Sequence, residues 1–374
     1  MKILIFTDWF APAYKAGGPV RSVVNMVNLL KKEHEVFVFT KDRDLKDTKP
    51  FRGIDEDEWM DADGFKIYYY SPGKMALTKV RMVIDEVQPD RIYLNSMFSN
   101  MFLPMWVAAK NGNVILCTRG MLRQSALSVK WLKKFVYLNL LKLLGMDKQL
   151  TFHATSKQEA KDIRRVFPRA EKISIAPNLP EPVLKELPHR QKKAGELHMI
   201  FVGRMHPIKN LLFLLEALQR VKGDIHFDIV ATREDEDYWK KCKKLIFKMQ
   251  TRVHIVTYAD LKHDKVRAVL EKAQLFVLPT EGENFGHAIF EALAVGCPIL
   301  ISDQTPWRNL SEKKAGVDLS LSRTKFTHAM QYFVDMEDDS WQEYKKGALA
   351  VAADYEKNMN SLNAYHDLFA LSEY

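Results

Sequence analysis

Apolar residues along this chain fall into short blocks separated by stretches in which they recur at helical spacing. The blocks are Lys2 to Thr7, Val36 to Thr40, Ile67 to Tyr70, Arg91 to Leu94, Val114 to Thr118 and Leu150 to Ala154. Such blocks read as buried strands, and their alternation with amphipathic segments such as Val20 to Lys31 predicts βαβ units and a parallel sheet. The rhythm pauses at Pro180-Glu181-Pro182 and at the polar run Pro188-His189-Arg190-Gln191-Lys192-Lys193, which together predict a linker. It resumes at His198 to Val202, Phe227 to Ala231, His254 to Thr257, Leu275 to Leu278 and Ile299 to Ser302. From about Trp341 to Tyr374 the chain reads as helical, with Leu349, Ala353, Leu362, Tyr365 and Phe369 as its apolar positions. The expectation is an α/β chain of two Rossmann-like, doubly wound parallel-sheet domains facing a central cleft. The domains are predicted at 1–180 and 181–354, with a helix over 355–374 crossing back to the first.

Composition narrows the class. A chain of 374 residues with 47% hydrophobic residues can fill two cores without disulfides. Its three cysteines, Cys117, Cys242 and Cys297, lie far apart, and no Cys/His cluster has zinc-ligand spacing, so each reads as a small buried apolar residue. The start, Met1-Lys2-Ile3-Leu4-Ile5-Phe6, is too short an apolar run for a signal peptide, and no stretch approaches the ~20 apolar residues of a membrane span. A cytoplasmic location is the expectation. The formal charge of +9 points to an anionic partner. No zinc-finger, RNP-like or basic-zipper pattern accompanies it, so phosphate or membrane is expected rather than nucleic acid.

Two segments carry candidate chemistry. Strand His198 to Val202 leads into Gly203-Arg204, then Met205-His206-Pro207-Ile208-Lys209, and Asn210 stands where it would cap the helix Leu211 to Arg220. Ligands of open α/β sheets bind at the carboxyl ends of strands, so Arg204 and Lys209 stand where a diphosphate would lie; the alternative is two solvated loop cations. Strand Leu275 to Leu278 is followed by Pro279-Thr280-Glu281-Gly282-Glu283-Asn284-Phe285-Gly286-His287 and an apolar helix bearing Glu291. At ~3.6 residues per turn, Glu291 lies about two turns below an entrance at which Glu283 stands. The amides near Phe285, Gly286 and His287 would open toward an anion. The alternative is an acid favoured by the helix dipole at Glu283 and a solvated Glu291, though the neighbours Ile289, Phe290, Ala292 and Leu293 are apolar.

With these residues in view, the chain resembles glycosyltransferase family four, the retaining GT-B enzymes. The matching pieces are Gly203-Arg204 with Lys209-Asn210, and Glu283-Asn284-Phe285-Gly286 running to Glu291-Ala292-Leu293-Ala294-Val295-Gly296-Cys297-Pro298. Gly17-Gly18, Arg119-Gly120-Met121-Leu122, His153-Ala154-Thr155-Ser156 and Pro177-Asn178 resemble the family too. The resemblance implies that Arg204 and Lys209 neutralise a donor diphosphate, that Glu283 contacts the donor sugar and that Glu291 binds ribose hydroxyls. Gly203, Asn284, Phe285 and Gly286 would complete the donor site. It also implies a hexosyl transfer with retention, from a nucleotide-diphosphate sugar to a glycan or lipid-linked acceptor, in cell-surface polysaccharide synthesis. No cofactor and no metal are expected. The alternatives are a sugar-nucleotide epimerase or hydrolase on the same fold, and a nonenzymatic nucleotide-sugar-binding subunit.

The other half departs from the family. Gly17 and Gly18 would let backbone approach an acceptor or diphosphate, with Asp8, Tyr14 and Lys15 in the same loop; the alternative is an ordinary strand-to-helix turn. The pattern G-x-G-x-x-G is absent, which counts against a nicotinamide enzyme. Arg119 stands where many relatives carry a His, and an Arg cannot act as a base. It could bind a diphosphate, an anionic acceptor or a carboxylate of the protein. Thr232-Arg233-Glu234 replaces a glycine-rich turn, and Tyr258-Ala259 a glycine-containing base-contact segment, leaving the nucleotide open. Asp235-Glu236-Asp237 reads as helix-start acids rather than a metal motif, and Ser156-Lys157-Gln158-Glu159 as a capping box. Between Arg119 and Lys148, basic residues interleave with Trp131, Phe135, Leu138 and Leu141. Segment 126–148 reads either as a helix lying on an anionic membrane, which would place the protein peripherally on the inner face, or as a helix burying its apolar stripe.

Overall fold

The computed structural model describes residues 1–73, 76–98, 102–108, 113–128, 130–180, 183, 190–249, 253–358 and 361–370. The chain divides into two compact units, Met1–Leu179 with Met359–Tyr374, and Pro180–Asn358.

The first unit is built on β1 (Lys2–Thr7), β2 (Glu35–Lys41), β3 (Trp59–Ala62), β4 (Phe65–Tyr70), β5 (Arg91–Asn95), β6 (Val114–Cys117), β7 (Thr151–Ala154) and β8 (Lys172–Ile175). Their order is β3-β4-β2-β1-β5-β6-β7-β8, parallel except for the antiparallel β3–β4 pair. β1 buries five consecutive residues, as a central parallel strand covered on both faces must. Helix Gly18–Leu30 covers one face with Val20, Val23, Met26, Val27 and Leu30, a stripe of period 3.6. On the other face Phe39 stacks on Tyr70 at 4.7 Å. The C-terminal helix Ser361–Phe369 packs Tyr365, Leu368 and Phe369 into the first face. Arg91 holds its end, donating from Nε to the Phe369 carbonyl at 3.2 Å and from Nη2 to that of Ala370.

The second unit has β9 (Glu196–Met205), β10 (Asp224–Arg233), β11 (Val253–Tyr258), β12 (Leu275–Leu278), β13 (Ile299–Ser302) and β14 (Gly316–Leu319), all parallel, in the order β11-β10-β9-β12-β13-β14. After β9 the chain builds outward to β11, then returns to place β12 on the other side of β9. The switch point of this sheet therefore lies between β9 and β12.

Several boundaries differ from those read in the sequence. β9 and β10 extend through Met205 and Arg233, so Arg204 lies inside a strand, paired with Thr232, rather than after it. Strands β3, β8 and β14 were not predicted; all three are sheet edges, partly exposed, and lack a continuous apolar run. The single helical stretch predicted from Trp341 is two helices, Asp338–Asn358 and Ser361–Phe369. Most of the predicted linker, 181–182 and 184–189, lies outside the described residues. Its end is no linker: Arg190 donates to the carbonyls of Ala273 and Val295, and the Lys192 amide donates to Asp338 Oδ1 at 2.8 Å. All three cysteines are buried and free, and burial pushes the Cys242 thiol up to about 12 and that of Cys297 to about 11.

Candidate functional site

The switch point of the second unit gathers the candidate donor residues. The loop after β12 is pinned to the 3-10 turn Pro207–Lys209 that follows β9: the Glu281 amide donates to Ile208 O at 2.8 Å, and Thr280 Oγ1 to the same oxygen at 3.0 Å. The Glu283 amide donates to Gln304 O at 3.1 Å, beyond β13. Held from both sides, Glu283 meets Lys209, whose Nζ donates to Oε2 in a largely buried ion pair. Arg204 is more exposed and is held by Glu234 on β10's exit, Nη1 donating to Oε1 at 3.0 Å and Oε2 at 2.8 Å. Each candidate phosphate cation thus carries a carboxylate partner. Glu234 is the site member that sequence reasoning missed; its signal was the departure from a glycine-rich turn. Asn210 is no side-chain cap: it sits at φ +60° and makes no cap bond to the helix Leu211–Leu218.

Gly286, at φ +83°, opens helix His287–Ala294. A Cβ there would lie 2.7 Å from Ile289 Cδ1 and 3.0 Å from Glu283 Cγ, so glycine lets the helix start close beneath Glu283. Phe285 is an anchor: its ring is buried against His287, Phe290, Trp307 and Tyr355, and its carbonyl accepts from Trp307 Nε1 at 2.6 Å. Asn284 is half-buried in the same turn, and Gly203 lies on β9 with Lys209 Cγ 3.6 Å from its would-be Cβ. Glu291 is buried, not solvated, and borders a small hollow with His263, Arg267, Leu270 and Phe290. Asp235 caps helix Glu236–Met249 by accepting from the Tyr238 amide at 2.9 Å.

In the first unit, Gly17 is the N-cap of Gly18–Leu30 at φ +66°, with nothing within 4 Å of a would-be Cβ; the backbone angle, not crowding, calls for glycine. Asp8 pairs with Lys41 at 2.6 Å and Lys15 with Asp47 at 2.6 Å, while the Tyr14 amide donates to Asp44 at 2.7 Å. Arg119 follows β6 and is gripped by two amide oxygens and a phenol rather than by a carboxylate. Its Nε donates to Asn95 Oδ1 at 2.8 Å, its Nη1 to Asn178 Oδ1, and its Nη2 to Tyr93 Oη at 3.3 Å. Ser156 caps its helix, with Oγ accepting from the Glu159 amide at 3.1 Å. The reciprocal half of the box is shifted: Glu159 accepts from the Thr155 amide at 2.8 Å, from Thr118 Oγ1 at 2.6 Å and from the Gly120 amide, fixing the turn that carries Arg119.

Helix Trp131–Leu143 does not bury its apolar stripe. Leu138 and Leu141 are buried and Tyr137 packs half-buried against the core, whereas Trp131, Leu132, Phe135, Val136, Leu140 and Leu143 are exposed, Leu143 at 84%. Among the described residues no helix is long and apolar enough to cross a membrane.

Comparison with known proteins places this geometry. Residues 16–179 match the model described as Glycosyltransferase Family 4, and residues 196–333 match Glycosyl transferases group 1. A GDP-mannose:cellobiosyl-diphosphopolyprenol alpha-mannosyltransferase of Xanthomonas oryzae pv. oryzae is 25% identical over 181 residues, 46% of this chain and 47% of that protein. The chain spans about half or less of the length of the curated relatives it matches. Among solved structures, a sucrose-phosphate synthase from Thermosynechococcus elongatus superposes with a TM-score of 0.69 at 16% identity, covering 99% of both chains. HepE of Anabaena in complex with UDP-glucose gives 0.68 at 14% identity, covering 98% of both.

Proposed function

The chain belongs to the glycosyltransferases of family four, and from that membership we propose that it is a retaining, metal-independent enzyme moving a hexosyl group from a nucleotide-diphosphate sugar to a glycan or lipid-linked acceptor. The observation that carries the proposal is the pairing of Lys209 with Glu283 across the β9–β12 switch point, with Arg204 beside it. A donor diphosphate takes both cations; Glu283, released from Lys209, turns to sugar hydroxyls, and Glu291 receives the ribose. As the bond from sugar C1 to the β-phosphate oxygen breaks, charge grows on the leaving diphosphate, where fixed cations and the helix start at Gly286 stabilise it. The acceptor hydroxyl adds its oxygen to C1 on the same face and passes its proton to the departing phosphate. Because the solved neighbour HepE is in complex with UDP-glucose and the mannosyltransferase relative is named for GDP-mannose, UDP- and GDP-hexoses are the first donors to test. Turnover with these in EDTA checks the chemistry; activity that collapses with EDTA refutes metal independence.

The exposed apolar face of Trp131–Leu143 supports a lipid-linked acceptor and a role in cell-surface polysaccharide synthesis from the cytoplasmic side of a membrane. Trp131, Leu132, Phe135, Val136 and Leu143 occupy one arc, with Lys133 beside it and Lys142 within it. That arrangement suits insertion at an anionic bilayer surface, apolar side chains entering the acyl boundary while lysines meet headgroups.

A further inference from the structure

The second sheet carries an imidazole row far from the candidate donor site. His198 on β9, His226 on β10 and His254 on β11 are direct register partners, so all three project from the same face of adjacent parallel strands. Their rings touch in sequence: His198 and His226 have centroids 4.4 Å apart, and His226 and His254 4.6 Å. Two residues along β10, on the same face, stands the buried carboxylate of Asp228. Both nearer imidazoles aim Nε2 at it, His198 at Oδ2 from 2.7 Å and His226 at Oδ1 from 3.1 Å. A carboxylate sunk into a sheet face is costly without compensation, and here two imidazoles and the Tyr258 hydroxyl supply it.

We propose that His198, His226 and Asp228 bind a divalent transition metal of zinc's class. The donor chemistry is that of two imidazoles and a carboxylate, and the candidate ligand atoms lie within 4.8 Å of one another. Bonds of about 2.0–2.1 Å in a tetrahedral site separate neighbouring ligand atoms by about 3.3 Å, and the imidazoles already stand 2.7 Å and 3.1 Å from the carboxylate, so small side-chain shifts would make room for the ion. His198 and His226 are partly exposed, which leaves the fourth position open to water. Ligands from two strands at this separation form no spaced motif, which is why the sequence gives no zinc signature. The metal would lace β9 to β10 near their starts. His198 precedes Arg204 by six residues on β9, about 20 Å along the strand, so the metal takes no part in the transfer chemistry, and turnover should survive its removal.

The test is zinc uptake by the full-length protein after EDTA treatment and dialysis, read as bound zinc per chain and as a dissociation constant by competition with a chromophoric chelator. One zinc per chain is expected. His198→Ala and His226→Ala should each weaken it at least about tenfold while leaving the circular dichroism and donor binding of the parent. His254→Ala, next in the row, and His366→Ala, in the separate group Glu33, His34 and His366, should leave affinity within about twofold. Absence of stoichiometric zinc, or uptake lost in His366→Ala and kept in His226→Ala, overturns the site. Equal loss in His254→Ala overturns the ligand set. None of these readouts uses turnover, so failure here and failure of the transferase proposal are separate results.

Discussion

Lys209 Nζ rests on Glu283 Oε2, joining the turn after β9 to the loop after β12 through one ion pair. The pair places a cation and a carboxylate together where the sheet's strand order reverses. Glu283→Ala and Arg204→Ala should each lower kcat by about a hundredfold or more, the scale for removing a group that stabilises developing charge, with the fold intact by circular dichroism. Wild-type rates in both variants would remove the roles given to these residues.

In the proposed complex Glu234 competes with the donor for Arg204. Exposed ion pairs are worth about 0.2–1 kcal/mol, so Glu234→Gln should lower the donor KM by no more than about fivefold and leave kcat unchanged. In an Arg204→Ala background the same substitution should do nothing. A double-mutant cycle in donor KM measures this; a raised KM in Glu234→Gln would mean that the carboxylate aims Arg204 rather than restraining it.

Glu159 ties stability to acid pH. Burial alone would raise its carboxyl, but hydrogen bonds from Thr118, Thr155 and Gly120 outweigh that and hold it below the ordinary value. A depressed folded value contributes stability that is present above the unfolded value of about 4.3 and is lost as pH falls through the folded one. Glu159→Gln should therefore cost about 2–3 kcal/mol at pH 7, and its urea midpoint should converge on the parent's below about pH 4. A constant gap from pH 7 to pH 3 would contradict the assignment.

Vesicle co-sedimentation tests the exposed helix. The protein should bind vesicles containing phosphatidylserine and not neutral ones, and Lys133→Glu with Lys142→Glu should weaken binding by at least about fivefold per residue, from about 1 kcal/mol for each lysine near the surface. Phe135→Ser with Leu143→Ser should also release it, at unchanged thermal stability because both side chains already face solvent.

How much of this was legible follows the physics of each element. Central strands such as β1 and β12 are covered on both faces and show as unbroken apolar runs, whereas the edges β3, β8 and β14 are partly exposed and show nothing of the kind. Glu283 and Glu291 were readable because one turn and one helix carry both. Glu234 was not, since it meets Arg204 only through the register that pairs Thr232 with Arg204 across two strands. For Trp131–Leu143, composition revealed apolar and basic positions but not which side met the core; that side is set by Tyr137, Leu138 and Leu141, which turn inward.

Arg91 and the helix it holds, Ser361–Phe369, also govern the order in which the molecule can be made. The second unit is one continuous stretch, Pro180–Asn358, and all of it leaves the ribosome before the first unit receives helix Ser361–Phe369. Until residue 370 emerges, the nascent chain carries the uncovered faces of Tyr93 and His153 that Phe369 and Tyr365 later occupy. The interrupted unit therefore waits, with an apolar face uncovered, until the helix that follows the other unit has been made.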